Sequence, residues 1–305
     1  MHHKRIIPGE LHHVFQRSYD RGLLFYSASD VLTYFTIFMT KAAKYKMRVL
    51  GLCTMRDHIH SLLIPPSSKS LAGFEMATNR TFAREFNSSI GRSGPVFEHS
   101  YDFAVKRSGK VARSSIIYLY NNPVEKHLCR KAVEARWNFL AYGLGPYPFS
   151  SKLILRRASS RMRRCVEETK ACHSHGEYLK PVRLCRMFGI LDVDERKQLC
   201  DFIIQTYSVI DYRALFSYWK SPEDMLVAAN SATGAEYDIA EKEERFGSDK
   251  VYGEISSWIL KQGGFKHLKD VLLLSEQERY ALAVDLQEGT SASLMQIHKF
   301  LHLKV

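Results

Sequence analysis

The chain has 305 residues, of which 45% are hydrophobic and 25% are charged, and its formal net charge at pH 7 is +12. This composition is typical of a globular protein, and the sequence contains no apolar run of roughly 18 or more residues, which excludes a predicted membrane-spanning helix. The N-terminal residues lack the apolar stretch of a signal peptide, so we expect a cytoplasmic protein whose 6 scattered cysteines are reduced.

The positive charge is concentrated in one half of the chain. Residues 1–166 contain 27 Lys and Arg against 10 Asp and Glu, a net charge of +17, whereas residues 167–305 contain 17 against 22, a net charge of −5. This asymmetry predicts that the N-terminal half binds a polyanion, for which nucleic acid is the most common candidate. A basic surface without a ligand is the alternative. With DNA as the partner, we expect an association with the nucleoid and none with a membrane.

The first 150 residues alternate between strand-like and helix-like segments. In chain order we predict a strand in 10–20, a helix in 27–46, a hairpin of two strands in 47–55 and 57–66, a helix in 70–90, a strand in 101–107 and a helix in 110–122 that ends at Pro123. The order β-α-β-β-α-β-α is the split βαβ pattern with one helix added. We therefore predict an α+β fold, a ferredoxin-like antiparallel sheet with helices on one face and the other face open to a long polymer.

The remainder of the chain has a different pattern. Residues 151–166 contain six basic residues and no acidic one, as in a basic linker or amphipathic helix, and 167–305 are predicted to be almost entirely helical. The sequence thus predicts a domain in 1–150, a basic connection and a helical accessory domain. Near 275–305, a helix to Gln287, a turn at Gly289 and a helix from Ser291 to Leu301 indicate a truncated helix-turn-helix or an ordinary helical hairpin.

Two histidines lie one residue apart in the segment "MRDHIHSLLI". In a β-strand successive side chains point to opposite faces, so His58 and His60 share one face while Ile59 points to the other. Two neighbouring imidazoles are half of a metal site. The chain has 13 histidines, however, and pairs such as His12 and His13 show that close histidines also occur by chance. A His-x-His pattern alone is therefore a weak indication of a metal site.

A second polar pair lies 58 residues further along the chain, in "SSIIYLYNNPVE". On a helix, Tyr118 and Asn122 are one turn apart and share a face, whereas Tyr120 is turned away from Tyr118. If this helix packs against the strand face that carries His58 and His60, a phenol and a carboxamide lie beside the same cation. This is the geometry that a tyrosine nucleophile needs.

These segments resemble a known family. "MRDHIHSLLI" is similar to the His-hydrophobic-His signature of the HUH single-strand transposases, and "YLYNNPVE" is similar to the "YIxxNPV" segment of the REP-associated tyrosine transposases. The segments "HHVFQRSYDRGLLF" and "FAREFNSSIGRSGPVFEHSYD" also resemble that family, so four motifs in the family's order span about residues 6–149.

The resemblance implies a function and a site. It implies that His58 and His60 bind a divalent metal, Mg²⁺ or Mn²⁺, with Asn122 as a third ligand through its amide. It further implies that Tyr118 attacks single-stranded or hairpin DNA, forms a 5′-phosphotyrosine intermediate and so acts as an endonuclease and strand transferase in DNA transposition. Enzymes of this class often dimerise, so the resemblance allows a homodimer, but nothing in the sequence fixes the oligomeric state.

Basic residues interleaved with aromatic ones suit single-stranded DNA, on which cations bind phosphates and rings stack on bases. We predict phosphate contacts from nine residues of the N-terminal half: Arg17, Arg21, Arg80, Arg84, Arg92, Lys106, Arg107, Lys110 and Arg113.

The sequence also departs from the family's pattern. Arg56 and Asp57 precede the first histidine, where the family usually has Pro-Asn or Pro-Glu, and Ser100 stands where it often has an arginine. These departures leave open a DNA-binding protein that has kept the fold and lost cleavage. More distant alternatives are a metal-dependent phosphodiesterase that uses water instead of Tyr118 and a purely structural helical adaptor.

Overall fold

The structure, a computed structural model, describes residues 5–98, 100–231, 250–262 and 264–304. Its N-terminal part contains four strands and three long helices in the predicted order: β1 (Leu11–Arg17), α1 (Ala28–Lys44), β2 (Arg48–Thr54), β3 (His58–Ile64), α2 (Ser68–Ser89), β4 (Asp102–Lys106) and α3 (Gly109–Glu125). The strands form one sheet in the order β2-β3-β1-β4, and each neighbouring pair is antiparallel. The predicted fold class, an α+β ferredoxin-like antiparallel sheet, is confirmed.

The two faces of this sheet follow from the alternation of side chains along each strand. On one face, Ile59 and Leu63 of β3 belong to a hydrophobic core that includes α1 and α2. On the other face, Leu62 packs with Ile116 and Leu119 of α3. The prediction that this second face is open to a polymer is wrong, because the apolar side of α3 covers part of it.

The helix α3 also ends later than predicted. It continues through Pro123 to Glu125. A proline removes one backbone donor and disfavours helix in the residue before it, but within the last turn this interrupts little of the hydrogen-bond ladder. The backbone N–H groups of Lys126 and Leu128 then close the end of the helix on the carbonyl groups of Asn122 and Pro123, at 3.1 and 2.9 Å.

The rest of the described chain is helical. It contains α4 (Ser160–Ser174), α5 (Pro181–Gly189), α6 (Val193–Tyr207), α7 (Tyr212–Phe216), α8 (Pro222–Ser231), α9 (Val251–Gln262), α10 (Glu276–Gly289) and α11 (Leu294–Leu301). The core that includes α1 and α2 continues into these helices, with Leu184 of α5 and Ile203 of α6 among its buried members. The predicted division at residue 150 stays a prediction. Within the described ranges, no helix combines the length and apolar character needed to cross a membrane.

The structure shows secondary structure in both the predicted basic connection and the predicted C-terminal hairpin. Within 151–166, residues Leu155–Arg157 form a 3₁₀ turn and α4 begins at Ser160. The pair α10 and α11 lies close to the positions predicted for the hairpin, and the apolar side of α11 packs against the segment between β1 and α1. There the Tyr26 hydroxyl donates a hydrogen bond to the Phe300 carbonyl at 2.5 Å. The helix-turn-helix interpretation of this pair stays a prediction.

Candidate active site

The antiparallel pairing of β1 with β3 gathers three histidines on the face that α3 covers. Phe15 lies opposite His60, so His13, two residues before Phe15, projects from the same face diagonally to His60. The His13 and His60 rings are stacked with centroids 5.1 Å apart, and the His58 and His60 centroids are 5.0 Å apart. His13 was not among the predicted site residues. Its place beside His60 depends on the pairing of β1 with β3, which no spacing within β1 reveals.

One ring nitrogen of each candidate metal ligand is held by a neighbour. His58 Nδ1 lies 2.7 Å from Asp57 Oδ1, and since a carboxylate only accepts, Nδ1 carries the proton. His60 Nδ1 lies 3.0 Å from His13 Nε2. When His60 Nδ1 donates in this contact, both candidate ligands present Nε2 to a metal, which is the arrangement that outer hydrogen-bond partners impose in metal sites.

The electrostatics keep His13 and His60 neutral. Burial, and then the nearby charge of Lys106, lowers the pKa of His13 to about 3. Burial, and then the neighbouring His58 and His13, holds the pKa of His60 well below its ordinary value. A neutral imidazole has the lone pair that a metal ligand needs, and a neutral His13 can accept the hydrogen bond from His60.

Asp57 is itself held from the far end of the chain. Its Oδ2 lies 3.4 Å from Nζ of Lys299, which is in α11. Burial alone would raise the pKa of the Asp57 carboxyl, but His58 and Lys299 together hold that pKa well below its ordinary value. Asp57 is therefore an anion placed between a histidine and a lysine.

The helix α3 brings Tyr118 to the histidines. The Tyr118 ring meets His60 edge-on, with centroids 5.7 Å apart and planes at 87°, and meets His13 at the same centroid distance and 72°. Tyr118 is 6% exposed. Asn122, one turn along, is buried, and no described residue donates a hydrogen bond to its Oδ1. A buried acceptor without a donor is costly unless a ligand supplies the interaction.

Tyr120 contrasts with Tyr118 although only one residue separates them. Its hydroxyl donates to the carbonyl of Leu50 in β2 at 2.9 Å, and its side chain is fully buried. A Cβ added to Gly51 would lie 3.0 Å from this hydroxyl, so a larger residue there would press against the ring where it crosses the strand. Tyr120 therefore holds α3 on the sheet, and the packing leaves Tyr118 as the candidate nucleophile.

The donor set of His58, His60 and Asn122 fits a divalent ion. Imidazole nitrogens suit transition metals and amide oxygens suit Mg²⁺ and Mn²⁺, so this mixed set suits Mn²⁺ best. Within the described part of the chain, no cluster of three or more His, Cys, Asp or Glu side chains is placed to hold a metal. A site here therefore depends on the Asn122 amide as its third protein ligand, and the buried, unsatisfied Oδ1 is consistent with that role.

Some of the nine predicted DNA-binding residues flank this site. Arg17 lies directly opposite His58 in the β1–β3 ladder and is half-buried. Lys106 lies on β4, where its charge acts on His13. Three more residues are exposed after β4 and along the first half of α3: Arg107, Lys110 and Arg113. Arg17 and Lys106 thus lie on the sheet near the histidines, and the other three lie on or just before the helix that covers the same face.

The other four lie elsewhere. Arg80 and Arg84 are exposed on α2, which packs on the opposite face of the sheet, and Arg84 donates to the Tyr178 hydroxyl at 3.2 Å. Arg92 lies 2.9 Å from Nδ1 of His302, near the C-terminus. Arg21 ends the 3₁₀ turn after β1 and is half-buried. Their roles in DNA binding stay predictions.

The chain was compared with known proteins. No protein-family model matches it, and no curated protein does. It is similar to a solved structure described as a REP-associated tyrosine transposase bound to a REP hairpin, with 11% sequence identity and a TM-score of 0.41 over 47% of this chain and 84% of that chain. That protein belongs to the family that the sequence motifs resemble. The likeness is distant, because it covers less than half of this chain and few of the aligned residues are identical.

Proposed function

We propose that this protein is a metal-dependent DNA endonuclease and strand transferase of the transposase type, with Tyr118 as its nucleophile and single-stranded or hairpin DNA as its substrate. The observation that supports it is the packing of Tyr118 against His60, beside two histidines whose Nδ1 atoms are both held by neighbours. A tyrosine next to such a pair has few purely structural explanations, since each of these rings is a costly polar group to bury.

The chemistry follows from these groups. The Tyr118 oxygen loses its proton and attacks phosphorus, the bond from phosphorus to the 3′ oxygen breaks, and that oxygen takes up a proton. The products are a 5′-phosphotyrosine and a free 3′-OH. His58, His60 and Asn122 would hold a divalent ion, which would supply positive charge to polarise the phosphoryl oxygens and offset the charge that develops. Because the covalent bond conserves the energy of the phosphodiester, a 3′-OH from a second DNA end reverses the step without ATP.

The basic residues around the site bind the DNA in this proposal. Arg17, opposite His58, and Lys106, whose charge acts on His13, would contact the phosphate under attack, and Arg107, Lys110 and Arg113 would extend the positive surface along α3. Each phosphate contact makes the affinity for DNA fall with rising salt concentration. The homodimer and the location near the nucleoid belong to the same proposal, and light scattering of the purified chain tests the former.

A second candidate is a DNA-binding protein of this fold that does not cleave. Two observations favour it: Ser100 stands where the related family often has an arginine, and Tyr118 is only 6% exposed. A buried nucleophile needs a local opening before it can reach a phosphate. The two candidates differ in one product, the covalent protein–DNA adduct.

The deciding experiment incubates the full chain with labelled DNA hairpins and Mn²⁺ and examines the products on a denaturing gel. We expect a covalent band that disappears in Tyr118→Phe and His58→Ala and on chelation of the metal, but persists in Tyr120→Phe, a matched loss of one hydroxyl from the same helix. Cleavage without a covalent band would indicate the phosphodiesterase that uses water. Binding without cleavage on every hairpin would support the non-cleaving candidate.

A further inference from the structure

The two residues that depart from the family's pattern just before His58 both contact the C-terminal helices. The guanidinium of Arg56 lies over the Tyr252 ring of α9, 5.6 Å from its centroid. Asp57 pairs with Lys299 of α11. These contacts join the residues just before β3 to helices that lie roughly two hundred or more positions further along the chain.

Asp57 connects α11 directly to a candidate metal ligand. Its Oδ1 accepts from His58 Nδ1 at 2.7 Å while its Oδ2 faces Lys299 Nζ at 3.4 Å. Lys299 is 5% exposed, so its ammonium is largely shielded from solvent. The Asp57 side chain is 24% exposed, so the pair is shielded from solvent mainly on the lysine side, and salt screens it less than a pair on the surface.

The backbone around Lys299 is itself anchored. The Lys299 carbonyl accepts from the N–H of Leu23 at 3.2 Å, and the His302 ring lies 2.9 Å from the Leu23 carbonyl through Nε2. A Cβ added to Gly22 would lie 2.6 Å from the same His302 ring, so the chain needs a glycine where this ring crosses it. The N–H of Leu24, the residue after Leu23, donates to the Arg56 carbonyl at 2.7 Å. The end of α11 and the start of β3 are thus joined through one short segment.

We propose that Lys299 is a positioning residue for the metal site: by holding the Asp57 carboxylate, α11 fixes the tautomer and direction of the His58 ring, so that docking of the C-terminal hairpin sets the affinity of the site for a divalent ion. The part concerning the metal rests on the proposed function, whereas the orientation of His58 does not.

The test uses the full chain with Lys299→Met, which keeps an unbranched side chain, one atom shorter, and removes its charge. Lys304→Met, at an exposed lysine close by, is the matched control, and Lys299→Arg is the conservative variant expected to restore the wild-type behaviour. The first measurement is the tautomer of His58, from the ¹⁵N chemical shifts of its ring in protein free of metal and DNA. The second is the dissociation constant for Mn²⁺, followed by paramagnetic resonance of the free ion.

We expect His58 to carry its proton on Nδ1 in the wild type, in Lys304→Met and in Lys299→Arg, and to become a mixture of tautomers in Lys299→Met. Loss of an outer partner of a metal ligand weakens metal binding by about 10- to 100-fold. Asp57→Ala should show that loss, and Lys299→Met, one contact further out, about 3- to 10-fold. If Lys299 acts through Asp57, the double variant binds Mn²⁺ no more weakly than Asp57→Ala alone.

An unchanged tautomer in folded Lys299→Met, or a double variant whose losses simply add, would overturn the positioning role. A wild type that shows the fixed tautomer but binds no Mn²⁺ and forms no DNA adduct would instead refute the proposed function. The ¹⁵N shifts of the Lys299 variants would still test the effect of Lys299 on the His58 ring. The two failures are therefore distinguishable.

Discussion

The two faces of the sheet are built from the same strands, but one packs into the apolar core and the other carries the candidate site. Toward α1 and α2, residues such as Val14, Ile59 and Leu63 enter a continuous apolar core. Toward α3, the neighbouring positions carry His13 and His60, and Tyr118 closes over them. A shift of one residue along a strand exchanges the faces, so the strand register separates stabilising side chains from those of the candidate site. Proteins tolerate buried polar groups chiefly where they use them.

The largest expected effect is on the apolar face. Phe35 of α1 is fully buried and stacks on Phe139 with ring centroids 4.6 Å apart. Phe35→Ala should lower the free energy of unfolding by about 3–5 kcal/mol, because it leaves a cavity in close-packed surroundings. Denaturant unfolding measures this loss. Val182→Ala, at a site 79% exposed, is the control and should change it little. Equal losses in both would mean that this core does not stabilise the fold as described.

On the site face, the expected effect is on metal binding. His13→Phe keeps a ring in place but removes the acceptor for His60 Nδ1, so the dissociation constant for Mn²⁺ should rise by about 10- to 100-fold. His175→Phe, at the exposed C-terminal cap of α4, should leave Mn²⁺ binding unchanged. Unaltered Mn²⁺ affinity in His13→Phe would show that His13 has no part in orienting His60.

The pH dependence of stability gives a test on the apolar side of the sheet, where the buried ring of His302 can take up a proton. His302 stacks on Phe86, and Arg92 and Arg279 lie nearby. Burial lowers the pKa of His302 to about 4. The hydrogen bond to the Leu23 carbonyl acts in the opposite direction, and the two arginines lower the pKa further. Because the folded pKa lies below the unfolded value, the stabilisation is present above about pH 6.5 and is lost as the pH falls toward 4.

From pH 7 to pH 5 this histidine alone should lower the free energy of unfolding by about 2 kcal/mol. Glu75, whose pKa burial raises to about 8, titrates in the opposite sense. The measurement is therefore the difference in pH dependence between the wild type and His302→Gln. Parallel curves for the two proteins would contradict the effect of His302.

The smallest expected effect concerns the contact that holds α3 on the sheet. Tyr120→Phe removes the hydrogen bond to the Leu50 carbonyl and should lower the free energy of unfolding by about 1 kcal/mol. Thermal unfolding measures this change. Tyr280→Phe, at a ring 41% exposed on α10, is the control. A loss of DNA cleavage at unchanged stability would reverse the roles assigned to Tyr118 and Tyr120.

Local patterns explain why much of the N-terminal part was predictable. The helix α1 begins at Ala28, close to the predicted start, and the side chain of Ser27 just before it caps the helix in a box with Asp30. The end of α3 was less predictable, because a proline near a helix terminus is tolerated or not according to its surroundings. His13 was missed because its place beside His60 depends on which strand pairs with which, and not on any spacing within β1.

The amino-acid sequence alone dictates the order of elements, the shared face of His58 and His60, and the shared face of Tyr118 and Asn122. These depend on periods of two and 3.6 residues, which are local properties of the backbone. Tertiary packing placed α3 on the second face of the sheet and set Lys299 against Asp57, 242 residues away. Such contacts result from the burial of apolar surface between distant segments, which no local pattern encodes.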